Sequence, residues 1–123
     1  MIDMSKIMIV DDEPDIREMI NLILSKNGYD TEMAIDGNEF LDKVDTFNPD
    51  LVTLDVMMPG PMTREILEKL QGKKSNPKII LVTVIRYSDK SRQKIMERKN
   101  VVDIISKPFE VDYFLNTITQ HLS

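Results

Sequence analysis

The chain has 123 residues, 41% hydrophobic and 30% charged, with a formal net charge of -5 and no cysteine. That size suits one buried core, and the mixture of apolar and oppositely charged residues excludes a disordered chain. The acidic balance argues against a surface gripping nucleic-acid phosphates, and the lack of cysteine removes disulfides, thiolate metal sites and a cysteine nucleophile. No apolar run approaches the roughly 20 residues of a membrane span, and no signal-peptide pattern opens the sequence, so a cytoplasmic protein is expected.

Ile7 to Val10 is an apolar run that stops at Asp11, Asp12 and Glu13, as a buried parallel strand does on reaching the sheet edge. Pro14 suits a first helical turn, and Ile16, Met19, Ile20, Ile23 and Leu24 recur at helical spacing until Asn27-Gly28. Tyr29 to Ile35 reads as a second strand, and Asp36 with Glu39 as a capping box for a helix carrying Phe40, Leu41, Val44 and Phe47. Asn48-Pro49-Asp50 breaks the chain before the buried run Leu51 to Leu54, which Asp55 follows directly.

Pro59, Gly60 and Pro61 make a turn into a helix bearing Ile66, Leu67 and Leu70. Gly72 to Pro77 then leads into the strand Ile79 to Val84, with Thr83 near its end. A polar helix is expected from about Asp89 to Lys99, with Asn100 as a left-handed stop, then the strand Val101 to Ile105 and Lys107-Pro108. The last helix uses Val111, Phe114, Leu115, Ile118 and Leu122 as its inner stripe. The basic residues between Arg86 and Lys99 are interrupted by Asp89 and Glu97 and read as a solvated helix face, not a nucleic-acid patch. His121 is expected in solvent, and Met57 and Met58 as packing residues.

Continuous apolar strands alternating with helices, five of each, predict a parallel sheet covered on both faces, a three-layer α/β domain over residues 1–123. Ligands of such sheets bind beyond the carboxyl ends of the strands, where the sequence places Asp11, Asp12, Asp55, Thr83 and Lys107. Carboxylates drawn together repel one another unless a cation neutralises them. Oxygen ligands with neither thiolate nor nearby His match Mg2+ best, with Mn2+ and Ca2+ as alternatives. A screened carboxylate can itself attack phosphorus, and the metal, the Lys107 ammonium and the Thr83 hydroxyl can each take one phosphoryl oxygen.

The segments IMIVDDEPDIR and LVTLDVMMPG, the LVT closing the fourth strand and the SKPF before the last helix resemble those of response-regulator receiver domains, including the stand-alone kind of chemotaxis. The resemblance spans nearly the whole chain and implies a doubly wound, flavodoxin-like sheet in the order 2-1-3-4-5. It implies Asp55 as the phosphoacceptor, Asp12 as a direct Mg2+ ligand, Asp11 as a ligand largely through water, and the Met57 carbonyl as another. Thr83 matches the switch hydroxyl and Lys107 the lysine that precedes a cis proline, here Pro108. The implied donor is a phosphohistidine on a sensor histidine kinase or phosphotransfer protein. The implied output is a protein partner reached through the fourth helix, fifth strand and fifth helix.

Some positions depart from the family's pattern. Pro61, Met62, Thr63 and Arg64 stand where relatives carry Met, an Asp-Gly turn and an aromatic residue. Val84 follows Thr83 where relatives have a small residue, which should narrow the approach to Asp55. Ile104 replaces the aromatic side chain that moves with the switch hydroxyl, and the stretch Arg86 to Ser91 is slightly long. A Mg2+-dependent Asp phosphatase would carry a second Asp where this chain has Met57. A flavin site would need a phosphate loop where Asp11, Asp12 and Glu13 repel phosphate. A turnover enzyme is therefore not expected. The reading is a phosphorylation-controlled signalling domain, with a phosphorylation-independent interaction module as the alternative. The cognate kinase, the output and whether the chain is part of a longer regulator stay open.

Overall fold

In the computed structural model, which describes residues 5–57 and 62–122, strand and helix alternate throughout. The order is β1 (Lys6–Val10), α1 (Pro14–Lys26), β2 (Asp30–Ala34), α2 (Gly37–Phe47), β3 (Leu51–Asp55), α3 (Thr63–Leu70), β4 (Lys78–Thr83), α4 (Asp89–Met96), β5 (Val101–Ser106) and α5 (Val111–Leu122). The expected Pro59 to Pro61 turn, and Met58 before it, lie outside the described residues. All neighbouring strands pair in parallel in the order β2-β1-β3-β4-β5, the doubly wound arrangement.

The sheet separates two cores, which is why its inner strands read as unbroken apolar runs. Met8, Val10, Val52, Leu54, Ile79 and Leu81 face α2 and α3 around Phe40. Ile7, Ile9, Leu51, Ile80, Val82 and Ile105 face α1 and α5 around Phe114. Phe40 and Phe114 are both fully buried, so truncating either to Ala would cost about 3–5 kcal/mol.

Helix ends follow the local chemistry. Asp36 Oδ1 accepts from Glu39 N–H at 2.8 Å, and Glu39 Oε1 accepts from Ile35 N–H at 3.1 Å, so the capping pair closes the start of α2. Asn48 caps α2 at a left-handed φ of 52°, a conformation that Asn tolerates, whereas Asn100, at φ 78°, lies in the turn between α4 and β5 and not at the helix end. The Lys107–Pro108 peptide bond is cis.

Several strand ends differ from expectation by a single residue, and three boundaries near the site or on the sheet edge carry consequences. β4 stops at Thr83, and Val84 lies beyond it with 60% of its surface exposed. α4 ends at Met96, short of Lys99, because it buries no residue fully and has no apolar stripe to carry another turn. β5 continues to Ser106, which pairs with Thr83. Within β5 the register shifts: Ile79 pairs with Val101, but Ile80 pairs with Asp103, so Val102 is an extra residue, a bulge.

Candidate functional site

Four adjacent strands end at one edge, and each delivers a polar residue there. β1 runs into Asp11 and Asp12, β3 ends on Asp55, β4 on Thr83, and β5 leads to Lys107. Carboxylate oxygens of Asp11, Asp12 and Asp55 lie within 4.8 Å of one another. Asp11 and Asp55 are buried, and Asp12 is half-buried. The Lys107 ammonium sits 3.0 Å from Asp11 Oδ2 and 3.7 Å from Asp55 Oδ1. Its backbone N–H donates to the Thr83 carbonyl at 2.8 Å, which anchors the end of β5 to that of β4.

Asp11 is held on every side. Its N–H donates to Ala34 O at 3.2 Å, and its Oδ1 accepts from Glu13 N–H at 2.9 Å. Its carbonyl accepts from Arg17 Nη1 at 2.8 Å. Asp55 Oδ1 accepts from the Met57 N–H at 3.1 Å. Burial pushes the Asp55 carboxyl above its ordinary value, and the charges of Asp11 and Asp12 push the same way. The Met57 hydrogen bond and the Lys107 charge only partly oppose this. The fully buried Thr83 takes the Ile85 N–H on its Oγ1 at 3.0 Å, which leaves its hydroxyl hydrogen to be donated elsewhere.

Above Asp55 opens a cavity of about 550 Å³ lined by Glu13, Ile16, Met19, Met57, Val84, Lys107, Pro108 and Phe109. Most of that rim is apolar. Val84 stands on it. Met57 does as well, with 59% of its surface exposed, which corrects its reading as a packing residue. Ile104 is buried in the α2/α3 core. His121 is not simply solvated: its Nε2 lies 2.9 Å from Asp103 Oδ2, and its carbonyl accepts from Lys78 Nζ at 2.6 Å. Arg17, Ile16 and Phe109 escaped the sequence reading of the site. Arg17 had the one available signal, a cation within the first turns after an acidic strand end.

The donor set suits a hard divalent ion. Three carboxylates face one lysine, two of them are buried, and among the described residues neither a thiolate nor an imidazole joins them.

Residues 7–119 match the response regulator receiver domain family. The chain belongs to that family. It is 32% identical over 117 residues to sporulation initiation phosphotransferase F of Bacillus subtilis (strain 168), covering 95% of this chain and 93% of that protein. Among solved structures it is similar to a CheY-like receiver domain protein from Methanospirillum hungatei JF-1, at TM-score 0.84 and 28% identity, covering 98% and 94% of the two chains. Another is response regulator protein TrrA from Thermotoga maritima, solved in complex with Mg(2+)-BeF, at TM-score 0.78 and 34% identity, covering 96% and 99%. This receiver domain thus has the flavodoxin-like fold of its neighbours and belongs to two-component signalling. Among the described residues no helix is long and apolar enough to cross a membrane.

Proposed function

We propose that this receiver domain, spanning residues 1–123 of a cytoplasmic protein, accepts a phosphoryl group on Asp55 from a phosphohistidine. The donor would be a sensor histidine kinase or a phosphotransfer protein. The observation that carries the reading is the meeting of Asp11, Asp12 and Asp55 within 4.8 Å, with the Lys107 ammonium 3.7 Å from Asp55. Asp12 and Asp55 would hold Mg2+ directly, Asp11 largely through water, and the Met57 carbonyl would complete the protein ligands. When bound, Mg2+ supplies positive charge for carboxylate and phosphoryl oxygens that would otherwise repel.

A carboxylate oxygen of Asp55 attacks phosphorus in line, the P–N bond to the donor imidazole breaks, and the imidazole leaves with the bonding electrons. Lys107 sits beside the nucleophile and can neutralise a phosphoryl oxygen, while the Thr83 hydroxyl can donate to another. The domain is a stoichiometric acceptor that later loses its phosphoryl group to water, not a turnover enzyme. The apolar rim formed by Ile16, Met19, Val84 and Phe109 favours delivery by a protein surface over a small donor. A B. subtilis relative named a phosphotransferase, and a T. maritima relative solved with Mg(2+)-BeF, support the same chemistry. Output would pass through the surface of α4, β5 and α5 to a protein partner, without direct nucleic-acid binding.

The test is mass spectrometry after incubation with Mg2+ and a small acyl phosphate. One added phosphoryl group on the native chain, and none on Asp55→Asn, is expected. A native chain that stays unmodified overturns the reading.

A further inference from the structure

Asp11 and Asp12 are joined by one peptide plane, so whatever holds the Asp11 carbonyl also sets the direction in which Asp12 leaves the backbone. That carbonyl is held by Arg17. The guanidinium Nη1 donates to Asp11 O at 2.8 Å, and the Arg17 backbone N–H donates to Glu13 O at 2.9 Å as part of the first turn of α1. Arg17 therefore ties the strand-to-helix bend from both its backbone and its side chain. The two acids need this unequally. Asp11 is fixed through both of its carboxylate oxygens, by Glu13 N–H and by Lys107. Asp12 is half-buried, and its carboxylate makes no hydrogen bond to any described residue. Its orientation comes from the peptide that carries it.

We infer that Arg17 is a positioning residue for the Mg2+ site, aiming Asp12 through the Asp11 carbonyl; this rests on reading Asp12 as a metal ligand. Groups that orient a ligand in this way govern metal affinity without touching the metal. The inference has a sign that separates it from simple electrostatics. A guanidinium beside an acidic cluster repels a divalent cation, so on charge alone its removal should tighten Mg2+ binding. If Arg17 acts through the peptide plane, its removal should weaken binding instead.

The experiment is a Mg2+ titration of the full chain followed by amide chemical shifts, for the native protein, Arg17→Met and Arg17→Lys. Arg17→Met keeps the apolar stem and loses both charge and donors, while Arg17→Lys keeps the charge and one shorter donor. We expect roughly tenfold weaker binding in Arg17→Met, with Arg17→Lys in between. Labelling by a small acyl phosphate should then need more Mg2+ to reach half its maximum while recovering its native maximal rate. A merely structural role would instead lower the maximal rate at every Mg2+ concentration. Binding by Arg17→Met that is unchanged or tighter overturns the inference. A native chain whose amides do not respond to Mg2+ overturns the underlying reading of Asp12, and the inference with it. Because Arg17 is only partly buried and lies on the first turns of α1, both variants should fold; amide shifts outside the site report whether they do.

Discussion

The Lys107 ammonium lies closer to Asp11, at 3.0 Å, than to Asp55, at 3.7 Å. With only 13% of the lysine side chain and 2% of the aspartate side chain exposed, this is a nearly dry ion pair. Removing one partner of such a pair leaves the other charge buried and unbalanced, at a cost on the order of 3 kcal/mol. Lys107→Met should therefore lower stability by about that much in EDTA, read from urea denaturation. Mg2+ should restore part of the loss if, as proposed, it supplies positive charge to the same carboxylates. An equal loss with and without Mg2+ would show that Lys107 and the metal do not share a charge environment.

Asp55 has the opposite effect on stability. Its folded carboxyl titrates above its ordinary value of 3.8, chiefly because it is buried. Between those two values the folded chain holds a proton that the unfolded chain has released. The favourable contribution is thus complete below 3.8 and is lost as pH rises through the folded value. Once ionised, Asp55 is a burden on the metal-free fold. Asp55→Asn should raise the melting temperature in EDTA by a few degrees at pH 7, and the gain should shrink as the pH approaches 4. A gain that does not change with pH would assign the effect to packing.

Val84 stands with Asp55 on the wall of the same cavity, with 60% of its surface exposed. Its branched side chain would narrow the approach. Val84→Ala should accelerate labelling by a small acyl phosphate, loss of the phosphoryl group to water, or both, by about two- to tenfold, the range of roughly 0.4–1.4 kcal/mol in barrier. Labelling and decay time courses of the two proteins side by side decide it. If neither rate changes, Val84 does not limit access.

Asp103 accepts from both Arg92 Nη2, at 3.2 Å, and His121 Nε2, at 2.9 Å, tying α4 and the last turn of α5 to the edge strand. Half-exposed pairs of this kind add little to global stability, so Asp103→Ala should cost less than about 1 kcal/mol. The local effect should be larger, because α4 has no fully buried side chain to hold it. Hydrogen exchange of amides 89–96 should quicken several-fold while the central strands stay protected. Unchanged exchange would mean that Ile95, Met96 and Tyr87, packed on the core, hold α4 unaided.

Much of this was legible from the chain. The strands announced themselves because both faces of the sheet are covered, so Ile7 to Val10 and Leu51 to Leu54 had no polar alternation. The acids announced themselves by ending those runs abruptly. What stayed hidden depends on groups far apart in sequence. The partner of His121 is Asp103, on a strand 18 residues earlier in the chain. The hold of Arg17 on Asp11 needs the actual turn between β1 and α1. Val84 extended an apolar run and so read as strand, since composition alone cannot separate a buried strand end from an exposed rim.

The extra residue at Val102 acts as a phase shifter. Val101 shares the α2/α3 core with its β4 partner Ile79, Val102 turns to the other core, and after the bulge Ile104 and Ile105 follow Leu81 and Val82, so the parity counted from Val101 is reversed. Ile105 thereby falls on the α1/α5 side with Ile9 and Val82, and Lys107, two residues later, emerges on the face from which Asp11 and Asp55 project. In a strand of uniform alternation Lys107 would point to the opposite side, toward α4. The spacing that brings a cation to the acids is therefore counted out by one surplus valine at the far end of the strand.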